Sequence, residues 1–163
     1  MVCQTGHFAI DDNEQWIKRS NGRWNRPKYK CKPLQIQTFG SWNVEGWGTD
    51  YYKISELIWH MKQKQIAVLC IQETHVHGMH HYQHNNFTII LSGKPPTDGL
   101  RSFSGVGFII APWAISAVIG FSLINDRIAS LKLWVNGGDL TLLSVYAPHS
   151  GYKYDVRNSF STI

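Results

Sequence analysis

A glutamate stands at the end of a hydrophobic run in this sequence. Residues 66–71 read Ile-Ala-Val-Leu-Cys-Ile, and Gln72, Glu73 and Thr74 follow directly. Such a run predicts a strand that is buried on both faces, where an unpaired carboxylate would be costly. Because ligands bind at the ends of central strands in α/β sheets, Glu73 is predicted to be a site residue. The alternative is a structural glutamate at a strand end.

Polar residues follow two further segments that predict strands. Residues 34–39 (Leu-Gln-Ile-Gln-Thr-Phe) lead into 41–46 (Ser-Trp-Asn-Val-Glu-Gly), and residues 140–148 (Leu-Thr-Leu-Leu-Ser-Val-Tyr-Ala-Pro) end in a polar tip. These ends place an amide at Asn43, a carboxylate at Glu45 and a phenol at Tyr146. The same argument about strand ends as for Glu73 predicts that these polar side chains lie near a ligand site.

In this order, the strand ends resemble the endonuclease/exonuclease/phosphatase superfamily. The matching segments are Trp-Asn-Val-Glu-Gly at 42–46, Gln-Glu-Thr at 72–74, Gly-Val-Gly-Phe at 105–108, Arg-Ile at 127–128 and Tyr-Ala-Pro at 146–148. The residues of these segments are most similar to those of the apurinic-type endonucleases of DNA repair and of non-LTR retrotransposons. The resemblance covers about residues 34 to 160.

The resemblance implies an α/β fold in which mixed β-sheets with flanking helices form a two-sheet sandwich. The later motifs of the superfamily, Gly-Asp-x-Asn and Ser-Asp-His, have no counterpart in this sequence. We therefore expect residues 34–163 to be a truncated domain, the first half of the sandwich with the C-terminal half absent. Residues 1–33 are expected to form a basic, flexible tail.

The resemblance also implies Mg²⁺-dependent hydrolysis of a phosphodiester, with DNA as the expected substrate and Mn²⁺ as an alternative metal. A hard cation held by carboxylates neutralises charge that builds on phosphoryl oxygens. Glu73 is the implied metal ligand. Glu45 stands where the superfamily commonly has an aspartate near the metal, and its longer side chain favours a water-mediated contact.

Three further residues are implied to contact the substrate. Asn43 would orient the attacking water and the acid/base groups, and Tyr146 would donate a hydrogen bond to the scissile phosphate. Arg127 opens a strand and could face substrate. The structural alternatives are a turn cap for Asn43, a solvated side chain for Glu45, a half-buried strand aromatic for Tyr146, and an ion pair of Arg127 with Asp126 or Glu73.

The superfamily's water-activating aspartate and its His–Asp dyad are not identifiable, so we expect residues 1–163 alone to be nearly silent in catalysis. A missing acid/base group typically forfeits about 10²–10⁴-fold in rate. The alternative function is a non-catalytic fragment that binds nucleic acid or a partner. It would bind a complementing C-terminal half or self-associate through an exposed edge of the Tyr146 strand. A phosphatase acting on inositol lipids or sphingomyelin is a weaker alternative.

Composition and charge limit the class of protein. The chain has 163 residues, 43% of them hydrophobic, which is enough to bury a core, and no apolar stretch approaches the roughly 20 residues that span a bilayer. Residues 1–32 hold seven basic and three acidic residues, so +4 of the net charge of +5 lies there. This segment could bind phosphate backbone, with Trp24 and Tyr29 stacking on bases.

The three unpaired cysteines and the lack of a signal sequence indicate an intracellular setting, and the basic segment is compatible with a nuclear one.

The remaining elements follow from periodicity. Residues 51–64 predict a helix whose apolar face is Ile54, Leu57, Ile58 and Met61. Strands are predicted at 87–91, 105–111, 115–124 and 127–135, a hairpin turn at 136–139 and a helix at 153–162. A polar loop is predicted after Glu73; its histidines could bind zinc or face substrate, but an uncommitted surface loop is favoured. These are His75, His77, His80, His81 and His84. His149 could act as a general base, but no neighbour in sequence would orient it.

Overall fold

The computed structural model describes residues 17–26, 31–35, 38–47, 51–95, 102–148, 150–151, 157 and 160. Within these residues the chain forms ten strands, one α-helix and a short 3-10 turn at Ile115–Ala117. In chain order the elements are β1 (Ile17–Lys18), β2 (Trp24–Asn25), β3 (Thr38–Asn43), α1 (Tyr51–Gln63), β4 (Ile66–Gln72), β5 (Met79–His84), β6 (Phe87–Ser92), β7 (Val106–Ile110), β8 (Val118–Leu123), β9 (Ile128–Val135) and β10 (Gly138–Val145).

The strands form two five-stranded sheets. The first sheet has the order β3-β4-β7-β6-β5 and the second has the order β1-β2-β8-β9-β10. Strands β3 and β4 are parallel, and the other pairs are antiparallel. Strands β9 and β10 contact β7 and β4 across one hydrophobic core. The predicted fold class, mixed α/β with two sheets, is confirmed.

The helix and the central strand follow the predicted pattern closely. Ile54, Leu57, Ile58 and Met61 of α1 are all buried, and the helix packs on β4. Strand β4 is buried along residues 66–71, because the second sheet covers one face and α1 the other. Each fully buried aliphatic side chain contributes roughly 1.5–3 kcal/mol to folding. Burial on both faces fixes the position at which β4 ends, and therefore the position of Glu73.

The predicted polar loop after Glu73 is wrong, because residues 79–84 form strand β5. This strand pairs with β6 at the outer edge of the first sheet, where its residues are exposed or half-buried. The two strands are joined by Asn85 and Asn86, whose φ angles are 49° and 67°. Asparagine tolerates this left-handed conformation, which two-residue hairpin turns require. An edge strand can be polar, so hydrophobic periodicity missed it.

The predicted tail at residues 1–33 also needs correction for the part that is described. Residues 17–26 form a hairpin in which β2 pairs with β8 and the Arg26 amide donates to the Ile119 carbonyl at 2.7 Å. Trp24 stacks on Phe121 with ring centroids 6.1 Å apart. Cys31 is buried, and its thiol donates to the Val118 carbonyl. This segment therefore extends the second sheet; Tyr29 and residues 1–16 lie outside the described residues.

Other boundaries shift by a few residues. The strand predicted from residue 34 begins at Thr38, and Leu34 instead forms an isolated bridge with Val135. The β9–β10 hairpin forms at the predicted turn, with Gly137 at φ 102°. Of the predicted helix at 153–162 only Arg157 and Phe160 are described, and both are helical. His149 lies outside the described residues. No helix in the described ranges is long and apolar enough to cross a membrane.

Candidate active site

Two predicted site residues meet where the parallel strands β3 and β4 end. Asn43 is the last residue of β3 and lies opposite Gln72, the last residue of β4. Glu73 follows Gln72, so its side chain lies within hydrogen-bonding distance of Asn43. The Asn43 side-chain amide donates to Glu73 Oε1 at 2.8 Å. Its Oδ1 accepts from the Glu45 backbone N–H at 3.1 Å, which is the turn-capping role. The Asn43 side chain therefore caps the turn and also contacts the Glu73 carboxylate.

The backbone around this pair is held in an uncommon conformation. Glu45 and Glu73 have φ angles of 48° and 52°, a left-handed region that side chains other than glycine seldom adopt. Hydrogen bonds hold the two loops together: the amides of Val44, Gly46 and Trp47 donate to the carbonyls of residues 72, 73 and 74 at 2.7–2.9 Å. Strained residues held by surrounding contacts often lie at functional sites, where the strain fixes a side chain in place.

The second oxygen of the Glu73 carboxylate faces a histidine. His75 Nε2 lies 3.9 Å from Glu73 Oε2, and the glutamate side chain is 22% exposed. The His75 ring packs edge-on against Phe103 and also lies against Gly46. Sequence reasoning placed His75 in a surface loop. Its position two residues after Glu73, past a strand end, is the signal that could have placed it beside the carboxylate.

A glycine loop supports the segment from Glu73 to His75. The amides of Thr74 and His75 donate to the carbonyls of Gly105 and Ser104 at 3.1 and 2.8 Å. A Cβ atom at Gly105 would lie 2.2 Å from Thr74 Oγ1, and the glycine has φ of 111°. On its other side the Gly105 amide donates to the Asp126 carbonyl at 2.8 Å, and the Ser104 hydroxyl bonds to the Asp126 carboxylate. The loop therefore links the end of β4 to the residues that precede β9.

Arg127 and Tyr146 form a second pair, at the joined ends of β9 and β10. The Tyr146 amide donates to the Arg127 carbonyl at 2.9 Å, and Arg127 Nη1 donates to the Tyr146 carbonyl at 3.3 Å. The guanidinium carbon lies 5.2 Å from the centre of the tyrosine ring. Both residues are half-buried. The Arg127 backbone amide also donates to Asn125 Oδ1 at 2.8 Å, so the residue is held from both the turn before β9 and the end of β10.

A polar bridge across the two sheets connects these pairs. Gln72 Nε2 donates to Ser144 Oγ at 3.2 Å, and Ser144 Oγ donates to the Ile71 carbonyl at 2.9 Å. Ser144 is fully buried. Because Gln72 precedes Glu73 and Ser144 stands two residues before Tyr146, the ends of β4 and β10 lie at the same end of the sandwich. Sequence reasoning missed both bridging residues.

Glu45 lies on the other side of Asn43, at a cleft between the end of β3 and α1. The glutamate is exposed, and the cleft is also lined by Trp42, Lys53, Glu56 and His60. The Lys53 ammonium donates to the carbonyls of Val44 and Gly46, so it fixes the loop that carries Glu45. Trp42 stacks on His60 with ring centroids 6.0 Å apart.

The donor set fits a hydrated Mg²⁺ ion better than a fully coordinated zinc ion. No group of three or more His, Cys, Asp or Glu side chains gathers within the described residues. Mg²⁺ usually keeps several waters and needs only one or two carboxylates, which Glu73 and Glu45 could supply. The histidines are used otherwise: His80 Nε2 lies 2.8 Å from the His77 carbonyl, and His81 packs edge-on against Phe121.

Comparison with known proteins relates the chain to part of a larger protein. No family model matches the chain. The chain is 30% identical to craniofacial development protein 2 of Bos taurus over 109 residues, a stretch that is 67% of this chain and 17% of that protein. The aligned part is thus about one sixth of the relative's length. The similarity relates the chain to a segment of that protein.

Proposed function

We propose that this chain carries the metal-binding half of a Mg²⁺-dependent phosphodiester hydrolase of the DNA endonuclease type, in the endonuclease/exonuclease/phosphatase superfamily. The observation that carries the proposal is the hydrogen bond from Asn43 to Glu73 at the shared end of two parallel strands. The Glu73 carboxylate is half-buried and is oriented by a neutral amide, and carboxylate oxygens are the ligands that Mg²⁺ prefers.

Each residue has a role that its geometry supports. Glu73 and, through water, Glu45 would hold the ion, which when bound neutralises charge on the phosphoryl oxygens. Asn43 keeps the Glu73 carboxylate in one orientation. Tyr146 would donate its hydroxyl to a phosphate oxygen, and Arg127 holds the tyrosine through its ring and its carbonyl. These side chains position charge and hydrogen bonds but include no evident proton-transfer group.

The proposed hydrolysis needs an acid and a base from another polypeptide segment. The motifs that supply them in the superfamily are not found in residues 1–163. Because each missing acid/base group typically forfeits about 10²–10⁴-fold in rate, residues 1–163 alone are expected to nick DNA at or near the background rate. A C-terminal half from a relative would restore the rate if it can pair with this chain.

The test is nicking of supercoiled plasmid in Mg²⁺. The native chain, Glu73→Ala and Gln83→Ala are each assayed alone and mixed with a C-terminal half from a relative. Gln83 is the control, because it is an exposed polar residue on β5, at the opposite edge of the sheet from β3. We expect nicking only in the mixtures, unchanged by Gln83→Ala and lost with Glu73→Ala. Equal nicking by the mixtures that contain native chain and Glu73→Ala would refute the role of Glu73.

Metal binding has a readout that does not need turnover. An ion that binds only the folded state raises the melting temperature. Millimolar Mg²⁺ or Mn²⁺ should raise the melting temperature of the native chain and of Gln83→Ala more than that of Glu73→Gln. The same shift in all three proteins would count against a metal at Glu73.

The second candidate function is a non-catalytic binding fragment. Strand β10 is at the edge of the second sheet in the described residues, with Leu143 58% and Val145 41% exposed. Unpaired edge strands with apolar side chains tend to pair with another chain. Light scattering across a concentration series tests this function. Concentration-dependent dimers that Leu143→Lys dissolves, together with no nicking in any mixture, would favour it over hydrolysis.

A further inference from the structure

The outer face of the second sheet carries polar residues at the positions that alternate with the core. Phe121, Leu131 and Leu133 point into the core and are 0–5% exposed. On the opposite face the strand register places neighbouring residues side by side across the sheet, in the rows Asn25–Gly120–Lys132–Thr141 and Ser122–Ser130–Leu143. Leu143 is the large apolar side chain of these rows and is 58% exposed. We call this surface the outer face.

A cavity opens on the outer face. Its polar lining comes from four strands and the turn before β2, and consists of Arg23, Asn25, Ser122, Ser130, Lys132 and Thr141. The floor includes Gly120, where a Cβ atom would lie 2.4 Å from the Trp24 carbonyl oxygen and 2.8 Å from Asn25 Oδ1. Glycine is therefore needed for β2 to approach β8, and the missing side chain leaves the depression between the two cations.

The lining is rich in hydrogen-bond donors and contains no carboxylate. It combines one guanidinium, one ammonium, one amide and three hydroxyls. Among the described residues, the guanidinium of Arg23 has no carboxylate partner; the backbone amide of Arg23 donates to Asn21 Oδ1. Lys132 Nζ is bound to Asp139 Oδ2 at 2.9 Å, on the rim of the cavity.

We propose that this cavity is a phosphate site that binds the backbone of a polynucleotide. The guanidinium fork and several hydroxyl donors match the oxygens of a tetrahedral oxyanion. In the β1–β2 hairpin the exposed Arg19 lies beside Arg23, to whose carbonyl its amide donates at 2.8 Å, so a further cation stands next to the cavity, which suits a polymer of phosphates better than one free ion. None of these residues belongs to the candidate active site, so binding here is independent of the proposed hydrolysis.

The test measures binding of a fluorescein-labelled 20-base-pair duplex by anisotropy, in EDTA, so that no hydrolysis contributes. The double variant Arg23→Gln/Lys132→Gln is compared with Lys64→Gln/Lys94→Gln, which removes the same charge from two exposed lysines elsewhere. We expect Kd to rise at least tenfold in the first variant. The slope of log Kd against log salt should fall by about 0.9 per lost phosphate contact. The control should change Kd less than threefold.

A third variant changes affinity in the opposite direction. Asp139→Asn removes the carboxylate that is bound to Lys132, and so frees the ammonium for a phosphate. We expect Kd to fall by about threefold, the size of a surface ion pair. Circular dichroism melts of every variant exclude unfolding as the cause.

Competition with inorganic phosphate distinguishes the source of the phosphate group. A duplex that is displaced only by high phosphate concentrations supports a polymer site. The chain could instead bind inorganic phosphate but no duplex, with phosphate binding lost in Arg23→Gln/Lys132→Gln. That result would support an oxyanion site but overturn the proposal that it binds a polynucleotide. Equal losses in both double variants, or no loss in either, overturn the site.

Discussion

The side-chain amide of Asn43 donates to the carboxylate of Glu73 at 2.8 Å, across two parallel strands that end side by side. The contact depends on the register in which Asn43 lies opposite Gln72. A slip by one residue would turn the side chains to opposite faces and separate the pair. The buried strand β4 and helix α1 resist such a slip, so the hydrophobic core determines the geometry of the carboxylate.

Replacing Asn43 with aspartate should make stability depend on pH. In Asn43→Asp a second carboxylate would stand about where the amide donates now, and two negative charges at such a distance repel by roughly 1–4 kcal/mol. At pH 5 the two groups can share one proton, and at pH 8 they cannot. We expect the free energy of unfolding, measured in urea, to be lower for this variant at pH 8 than at pH 5, relative to the native chain.

Asn43→Ala is the matched control, because it loses the same hydrogen bond without adding charge. It should be destabilised by about 1 kcal/mol at both pH values. If the two variants show the same dependence on pH, the side chain at residue 43 does not contact the Glu73 carboxylate in solution.

Gly105→Ala should destabilise the chain much more than Gly137→Ala. Both glycines have positive φ, 111° and 102°, so both substitutions cost about 1 kcal/mol in backbone conformation. Only at Gly105 would the methyl group meet another atom, Thr74 Oγ1 at 2.2 Å, whereas nothing lies within 4 Å at Gly137. We expect losses of about 3 and about 1 kcal/mol in urea unfolding. Equal losses would mean that the Gly105 loop does not pack on Thr74.

Local patterns predicted the elements whose burial is uniform along the chain. The 3.6-residue period identified the buried face of α1, and the apolar run identified β4 and the position of Glu73 after it. Polar edge strands have no such signal. Strand β5 was missed because its residues are mostly polar and none of them is fully buried. The basic hairpin at 17–26 was missed because its place in the sheet depends on pairing with β8, about 95 residues later.

The candidate site was predictable only in part for the same reason. Strand ends identified Asn43, Glu73 and Tyr146 as polar tips, but their connections are long-range. The bridge from Gln72 to Ser144 joins residues 72 positions apart in the chain, and nothing local to either residue indicates it. The pairing of Arg127 with Tyr146 follows from the β9–β10 hairpin, which the Asn-Gly turn did predict.

His81 should make the chain lose stability in acid. Burial lowers the pKa of the His81 imidazole from its ordinary 6.5 to about 4. Between these values the unfolded chain binds the proton and the folded chain does not, so this contribution is intact above pH 6.5 and falls as the pH drops toward 4. His81→Gln should therefore reduce the loss of unfolding free energy between pH 7 and pH 4.5 by about 2 kcal/mol.

The control for that prediction is the neighbouring residue on the same strand. His80 is exposed, so His80→Gln should leave the loss in acid as it is in the native chain. Urea titrations of the three proteins at pH 4.5 and pH 7 provide the comparison. If His81→Gln and the native chain lose the same free energy, the imidazole is solvated or protonated in the folded state.

The ring of Tyr146 should contribute to stability, and its hydroxyl should contribute to the rate of nicking. Arg127 contacts the ring, with 5.2 Å from the guanidinium carbon to its centre, and the backbone carbonyl. Tyr146→Phe keeps both contacts, so its stability should stay within about 0.5 kcal/mol of the native chain, whereas Tyr146→Ala should lose about 1 kcal/mol or more. In the complemented nicking assay Tyr146→Phe should nonetheless be slower by about tenfold or more, because it lacks the hydroxyl that we propose donates to the phosphate. If Tyr146→Phe melts and nicks like the native chain, Tyr146 has a packing role only. In that case Arg127→Gln should lower stability, and it should lower nicking only in proportion to the folded protein that is lost.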